Sequence, residues 1–165
     1  MIIKNLNKNF LTKFSLIFLI FFVDQISKYY VISMFNSQNE VIYLTNFLNF
    51  QLIWNEGIAF GLLSFDHDLY YNLMSFVIFC VIIILLFLMK NQEEYSYFYV
   101  MIVGGALGNF IDRIRYSAVP DFIDFHINNF HWFIFNTADI FITFGIICLI
   151  IAEIFFKNKE NDEKN

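Results

Sequence analysis

Four long apolar runs constrain this chain more than any other feature of it. They cover roughly residues 11–32, 70–89, 95–111 and 133–156. A helix of about 20 predominantly apolar residues crosses the hydrocarbon core of a bilayer. Nothing in that core can hydrogen-bond a bare backbone, so unbroken runs of this length read as helices. Composition agrees: 165 residues that are 59% hydrophobic and 21% aromatic, with mean hydropathy +0.60, are too apolar for an ordinary soluble domain. The expected fold class is an all-α membrane protein, a single domain over residues 1–165. It has four transmembrane helices and a small extracytoplasmic β-rich loop region.

The runs also carry direction. Asp24, Gln25 and Lys28 interrupt the first, and Lys4, Lys8 and Lys13 precede residues 14–23 in the manner of a signal peptide. No small-x-small cleavage site follows, so the segment reads as a retained helix. Four spans put the N-terminus, the turn at 89–95 and the C-terminal tail on one side. Seven cations lie there (Lys4, Lys8, Lys13, Lys90, Lys157, Lys159 and Lys164), against three on the other side, Lys28, Arg113 and Arg115. The excess makes both termini cytoplasmic and turns the loops 33–69 and 113–132 outward. In the first outer loop, residues 41–54 are aromatic and β-branched with partial alternation, which predicts one or two short strands. Gly57 and Gly61 then punctuate a turn, and an apolar flap around residues 58–63 is expected to pivot there. The net charge of −5 argues against a nucleic-acid partner.

Charged groups inside or beside a membrane are costly, which makes them functional candidates by default, although packing networks use them too. Asn109, Asp112 and Arg113 are spaced i, i+3, i+4 and share a helix face. With Arg113 and Arg115 in reach, Asp112 is expected to stay ionised as a structural clamp. Gly104 and Gly108 form a small-xxx-small pair that lets another helix approach. Asp121 follows Pro120 and is flanked by Phe122 and Ile123, with no cation adjacent in sequence. Asn136, Asp139 and Thr143 make a polar stripe, with Asp139 about six residues inside the fourth run. That stripe is either a functional acid with its supports or a satisfied interhelical hydrogen-bond network. Asp24 and Lys28 are an i, i+4 pair that can simply neutralise itself. Asp124, His126 and His131 lack HxxxH or HExxH spacing, so no metal is expected, and no cofactor either. Cys80 and Cys148 sit mid-run as inert thiols. Ser117 has no Lys or His partner at recognisable spacing, which disfavours a serine nucleophile.

Five blocks of this sequence taken in order resemble the lipoprotein signal peptidases, the type II signal peptidases of bacterial inner membranes. They are Val23-Asp24-Gln-Ile-Ser-Lys28, Trp54-Asn55-Glu-Gly57-Ile-Ala59-Phe60-Gly61, Gly104-Gly-Ala-Leu-Gly-Asn109-Phe-Ile-Asp112-Arg113, Val119-Pro-Asp121-Phe-Ile123 and Phe135-Asn136-Thr-Ala138-Asp139-Ile-Phe-Ile-Thr143-Phe-Gly145. The blocks span most of the chain. The resemblance implies an aspartic endopeptidase that removes the signal peptide from diacylglyceryl-modified prolipoproteins, cleaving before the lipidated Cys. Its catalytic pair falls on Asp121 and Asp139. Its supporting polar residues fall on Asp24, Lys28, Asn55, Asn109, Asp112, Arg113 and Asn136. It places the enzyme in the cell inner membrane, with its active site at the outer face and prolipoproteins and membrane lipid as partners; the chain is expected to act as a monomer. One departure is Pro120, where the family usually has a second Val.

The residues themselves suit that chemistry. Peptide hydrolysis by carboxylates needs one to deprotonate water and one, protonated, to deliver a proton to the carbonyl oxygen. Two acids in contact share a proton and titrate as a pair. Two other readings compete. A proton-coupled transporter would use Asp24, Asp112 and Asp139 as relays, but none of them is expected near the midplane, where a transport path needs them. A non-catalytic membrane scaffold leaves the acids unexplained.

Overall fold

The computed structural model describes residues 2–37, 41–57, 67–128 and 130–162. Its order is α1 (Ile2–Ser37), β1 (Ile42–Tyr43), β2 (Leu48–Asn55), α2 (His67–Asn91), a 3₁₀ turn (Glu93–Tyr95), α3 (Ser96–Tyr116), β3 (Val119–Ile127), β4 (Phe130–Phe135) and α4 (Thr137–Asp162). The expected flap at residues 58–63 lies outside the described residues.

Among the described residues, three helices are long and apolar enough to cross a membrane, over Asn9–Phe35, Tyr71–Asn91 and Thr137–Phe155. Their outer faces expose large apolar side chains, such as Phe18 and Phe22 on α1, Phe76 and Phe87 on α2, and Phe144 and Phe155 on α4. Exposed apolar surface on this scale needs lipid. The chain is a membrane protein. Helix α3 differs: it packs against α1, α2 and α4 at once and is the most enclosed of the four. A helix wrapped by other helices can carry Asn109, Asp112 and Arg113, because protein rather than lipid surrounds them.

The close approaches are made by glycine. A Cβ at Gly104 would meet Ile20, and one at Gly108 would overlap the Asp24 carboxylate, so the small-xxx-small pair seats α1. Gly105, on the adjoining face, would meet the Ala138 carbonyl of α4. Below that level the interior is apolar, with Ile17, Ile20, Ile82, Met89, Val100 and Val103 packed together.

The four strands form one antiparallel sheet in the order β1-β2-β3-β4. Strands in the first outer loop are as expected from its alternation. The second outer connection also forms strands, and here the boundary at 133 moves: residues 133–135 finish β4, and helix begins only at Thr137. Run length alone does not separate a strand from the helix it leads into, because Phe, Trp and Ile suit both a pleated surface and a bilayer. Pro120 lies in β3 opposite Trp54 of β2. β4 pairs with β3 only from Ile123 onward, so the missing N–H at Pro120 falls where β3 has no second neighbour. The cross-strand row Ile42, Phe50 and Ile123 faces Val31 and Phe35 of α1 and clamps the sheet to the helices.

Candidate active site

Helix α4 begins with a reciprocal cap. The Asn136 Oδ1 accepts from the Asp139 backbone N–H at 3.1 Å, and the Asp139 Oδ2 accepts from the Asn136 N–H at 3.1 Å. This is a capping box, which satisfies two orphan donors and fixes both side chains. Asp139 therefore sits in the first turn of α4 and not deep inside a span, and Asn136 precedes the helix instead of extending a stripe along it. A third orphan donor, the Ala138 N–H, is taken by Asp24 Oδ1 at 2.8 Å. The positive end of the helix dipole thus faces carboxylates, the favourable arrangement.

The same Asn136 joins the second acid. Its Nδ2 donates to Asp121 Oδ1 at 2.5 Å. Asn55 Nδ2 donates to Asp121 Oδ2 at 2.8 Å, and the amide is held in that orientation because its own Oδ1 accepts from the Gly57 N–H at 2.8 Å. Gly57 takes φ +75, which suits glycine. Burial raises the Asp121 pKa; the donors Asn55 and Asn136 oppose that, the Asp139 charge adds to it, and Lys28 opposes it again.

Asp139 receives its last donor from Asn109 Nδ2, at 2.8 Å from Oδ1. Asn109 Oδ1 accepts in turn from Lys28 Nζ at 2.8 Å. Lys28 is 2% exposed and also donates to Asp24 Oδ2 at 2.7 Å and Asp112 Oδ2 at 2.6 Å. All three ammonium protons are used. Asp24 and Lys28 do pair locally, but they do so inside a larger buried cluster.

One sequence expectation changes here. The partners of Asp112 are Lys28 and Gln25, whose Nε2 donates to Asp112 Oδ1 at 3.0 Å. Arg113 instead reaches the Asn109 carbonyl at 3.2 Å. Adjacent helix residues point about 100° apart, so Asp112 turns inward to α1 while Arg113 does not share that direction. Asp124, though on β3 with Asp121, is absent from this network and pairs with His131 at 2.8 Å. Gln25 is the residue that sequence reasoning missed; its position between Asp24 and Lys28 was the available signal.

Asp121 and Asp139 line one groove of about 720 Å³ with Asn55, Phe133, Phe135, Ile140, Phe144 and Ile147. Two carboxylates at one end and an apolar wall running down α4 make a site with a polar head and a lipid-like flank.

A sequence model of signal peptidase (SPase) II matches residues 16–155. The chain belongs to the signal peptidase II family. It is 51% identical over 160 residues to the lipoprotein signal peptidase of Pelagibacter ubique (strain HTCC1062), covering 96% of each chain. It is 39% identical to that of Francisella tularensis subsp. novicida (strain U112), covering 94% of this chain and 99% of the relative. Among solved structures, a bacterial membrane enzyme determined by the in meso method at 1.9 Å matches with TM-score 0.69 and 28% identity, over 86% of this chain and 91% of the other. As a signal peptidase II the chain is an aspartic peptidase of lipoprotein processing.

Proposed function

We propose that Asp121 and Asp139 are the catalytic pair of this signal peptidase II. Its substrate is a diacylglyceryl-modified prolipoprotein, cut immediately before the lipidated Cys. The observation that carries this reading is the shared Asn136: one residue orients both carboxylates toward the same apolar-walled groove. The groove accepts an acyl-bearing residue from the side while its polar end receives the scissile peptide.

Asp139, at the positive end of α4, is the anion that draws a proton from the attacking water. Asp121, buried beside that charge, carries the shared proton and delivers it to the carbonyl oxygen. The proton taken from water then passes to the leaving amine as the C–N bond breaks, while Asp121 takes a proton back from a hydroxyl of the tetrahedral intermediate, and the pair returns to its singly protonated state. Asn55 and Asn109 each hold an outer carboxylate oxygen, and the Asp24–Lys28–Asp112 cluster holds Asn109.

Four spans fit the four long helices, with α3 as the enclosed one. Both termini are cytoplasmic, the sheet and groove face outward in the inner membrane, and the chain is one domain acting as a monomer. The test is purified full-length protein in lipid with a diacylglyceryl-modified prolipoprotein and its unlipidated form. Cleavage of the lipidated form alone, abolished by Asp139→Asn and by Asp121→Asn, is the expected result. A tenth of wild-type activity surviving in either variant would remove that residue from the pair, and equal cleavage of the unlipidated form would remove the lipid requirement.

A further inference from the structure

The sheet lines a second cavity that shares no residue with the groove of Asp121 and Asp139. The cross-strand row Tyr43, Asn49 and Asp124 lies one position out of phase with the row Ile42, Phe50 and Ile123. His126 follows Asp124 by two along β3 and therefore shares its side, and β4 sets His131 directly opposite His126. These residues line a cavity of about 400 Å³. Asp124 lies three residues from Asp121, about 10 Å along the strand.

The chemistry at this cavity is unbalanced. Asp124 is fully buried, and a buried carboxylate needs a partner of opposite charge or strong donors. It has His131, whose Nδ1 lies 2.8 Å from Oδ2. His126 is 8% exposed and its Nδ1, 3.8 Å from the same oxygen, has no hydrogen-bond partner. Asn49 is 3% exposed, and its Oδ1 also has none. A buried acceptor without a partner costs about 1–3 kcal/mol, so two beside a buried carboxylate point to a missing occupant. One that satisfies a carboxylate, two imidazoles and an amide oxygen together is a cation.

We propose that Asp124, His126 and His131 form a binding site for a divalent transition-metal ion of the zinc type, with Asn49 Oδ1 beside the fourth position. One ligand atom from each of the three lies within 4.8 Å of the others. Zinc bonds of about 2.0–2.2 Å set tetrahedral ligand atoms roughly 3.4 Å apart. The Asp124–His131 and Asp124–His126 separations of 2.8 and 3.8 Å bracket that value. His131 is half exposed and free to swing the remaining distance. Two imidazoles and one carboxylate favour zinc over magnesium or calcium, which prefer all-oxygen shells. Spacing along the sequence did not suggest this because the ligands meet across a hairpin, and helical HxxxH spacing is the wrong template for strands. The ion would tie β4 to β3 and stiffen the strand that carries Asp121.

The site is tested on full-length protein in detergent, stripped with chelator and titrated with Zn²⁺. One ion per chain is expected, at least tenfold weaker binding in His131→Ala and in His126→Gln, and a Zn²⁺-dependent rise in Tm that both variants lose. His131→Ala also removes the partner of Asp124, so the fold of each variant is verified without metal by an unchanged circular dichroism spectrum and a cooperative unfolding transition. Co²⁺ in place of Zn²⁺ should give a visible absorption band that His131→Ala abolishes. Binding of equal strength in wild type and both variants, or no saturable binding at micromolar Zn²⁺, would overturn the site. Neither result depends on peptidase activity.

Discussion

The molecule holds two sets of buried carboxylates, built on opposite plans. Asp24 and Asp112 surround Lys28 between α1 and α3, and the lysine's three protons are all committed. Asp121 and Asp139 meet where β3 runs beside the start of α4, held only by neutral amides and backbone N–H groups, and they face an open groove. A carboxylate locked to a buried ammonium is of little use for exchanging protons. One held by amides keeps its geometry and can still do so. The identity of their donors separates the two sets.

The sharpest way to break this contrast is to neutralise one acid from each set. Asp121→Asn or Asp139→Asn should reduce turnover by more than the ~10²–10⁴-fold typical of one acid-base group, because the proposed pair would act as a unit. The double variant should be little worse than either single one, as read from cleavage of lipidated substrate. Asp112→Asn should leave part of the activity at low temperature and lower Tm in detergent. Complete inactivity at unchanged Tm would move Asp112 into the chemistry and erase the distinction.

Next in size is Lys28→Met. It leaves Asp24 and Asp112 buried without their counter-ion, and breaking a buried ion pair from one side costs about 3–5 kcal/mol. The fall in stability should exceed that of Asp112→Asn, measured by unfolding in mixed micelles. Equal stability of Lys28→Met and wild type would mean that the cluster holds nothing together.

The smallest effect sharpens the comparison on the catalytic side. Asn55 Nδ2 opposes the upward push of burial on Asp121, so Asn55→Ala should raise that pKa further. The pH–activity limb governed by Asp121 should then move to higher pH, whether it is lost on protonation or on deprotonation. Stability follows the same sign. A carboxyl whose folded pKa is above its unfolded value contributes stability that is complete at low pH and is lost as pH rises through the folded value. Asp121→Asn lacks that loss, so its Tm relative to wild type should improve as pH rises from about 4 toward neutrality. A Tm difference independent of pH would place the burial penalty elsewhere.

Much of this site was legible in the chain, and what was not has a common cause. Asp121, Asp139, Asn109, Asn136, Asn55, Asp24 and Lys28 were all candidates from sequence, and the network includes every one. Partners were harder to read. Asp112 was matched to its neighbour Arg113 because nearness along a helix is visible, whereas Lys28 is 84 positions away. The start of α4 was set four residues early because aromatic residues satisfy strand and bilayer alike. Asp124, His126 and His131 showed no metal spacing because a hairpin, not a helix, brings them together.

Hydrophobic run length settled the solvent, since a chain this apolar is stable only where lipid covers it. Acids at the ends of those runs made polar work near a membrane surface the expectation, because an unpaired charge deeper in would not persist. The tertiary structure decided which acids are satisfied by an ammonium and which by amides. That choice depends on which helix faces close through Gly104, Gly105 and Gly108, and on a cap at Asn136 that binds two carboxylates at once. Such contacts join residues far apart in the chain, and no local pattern specifies them.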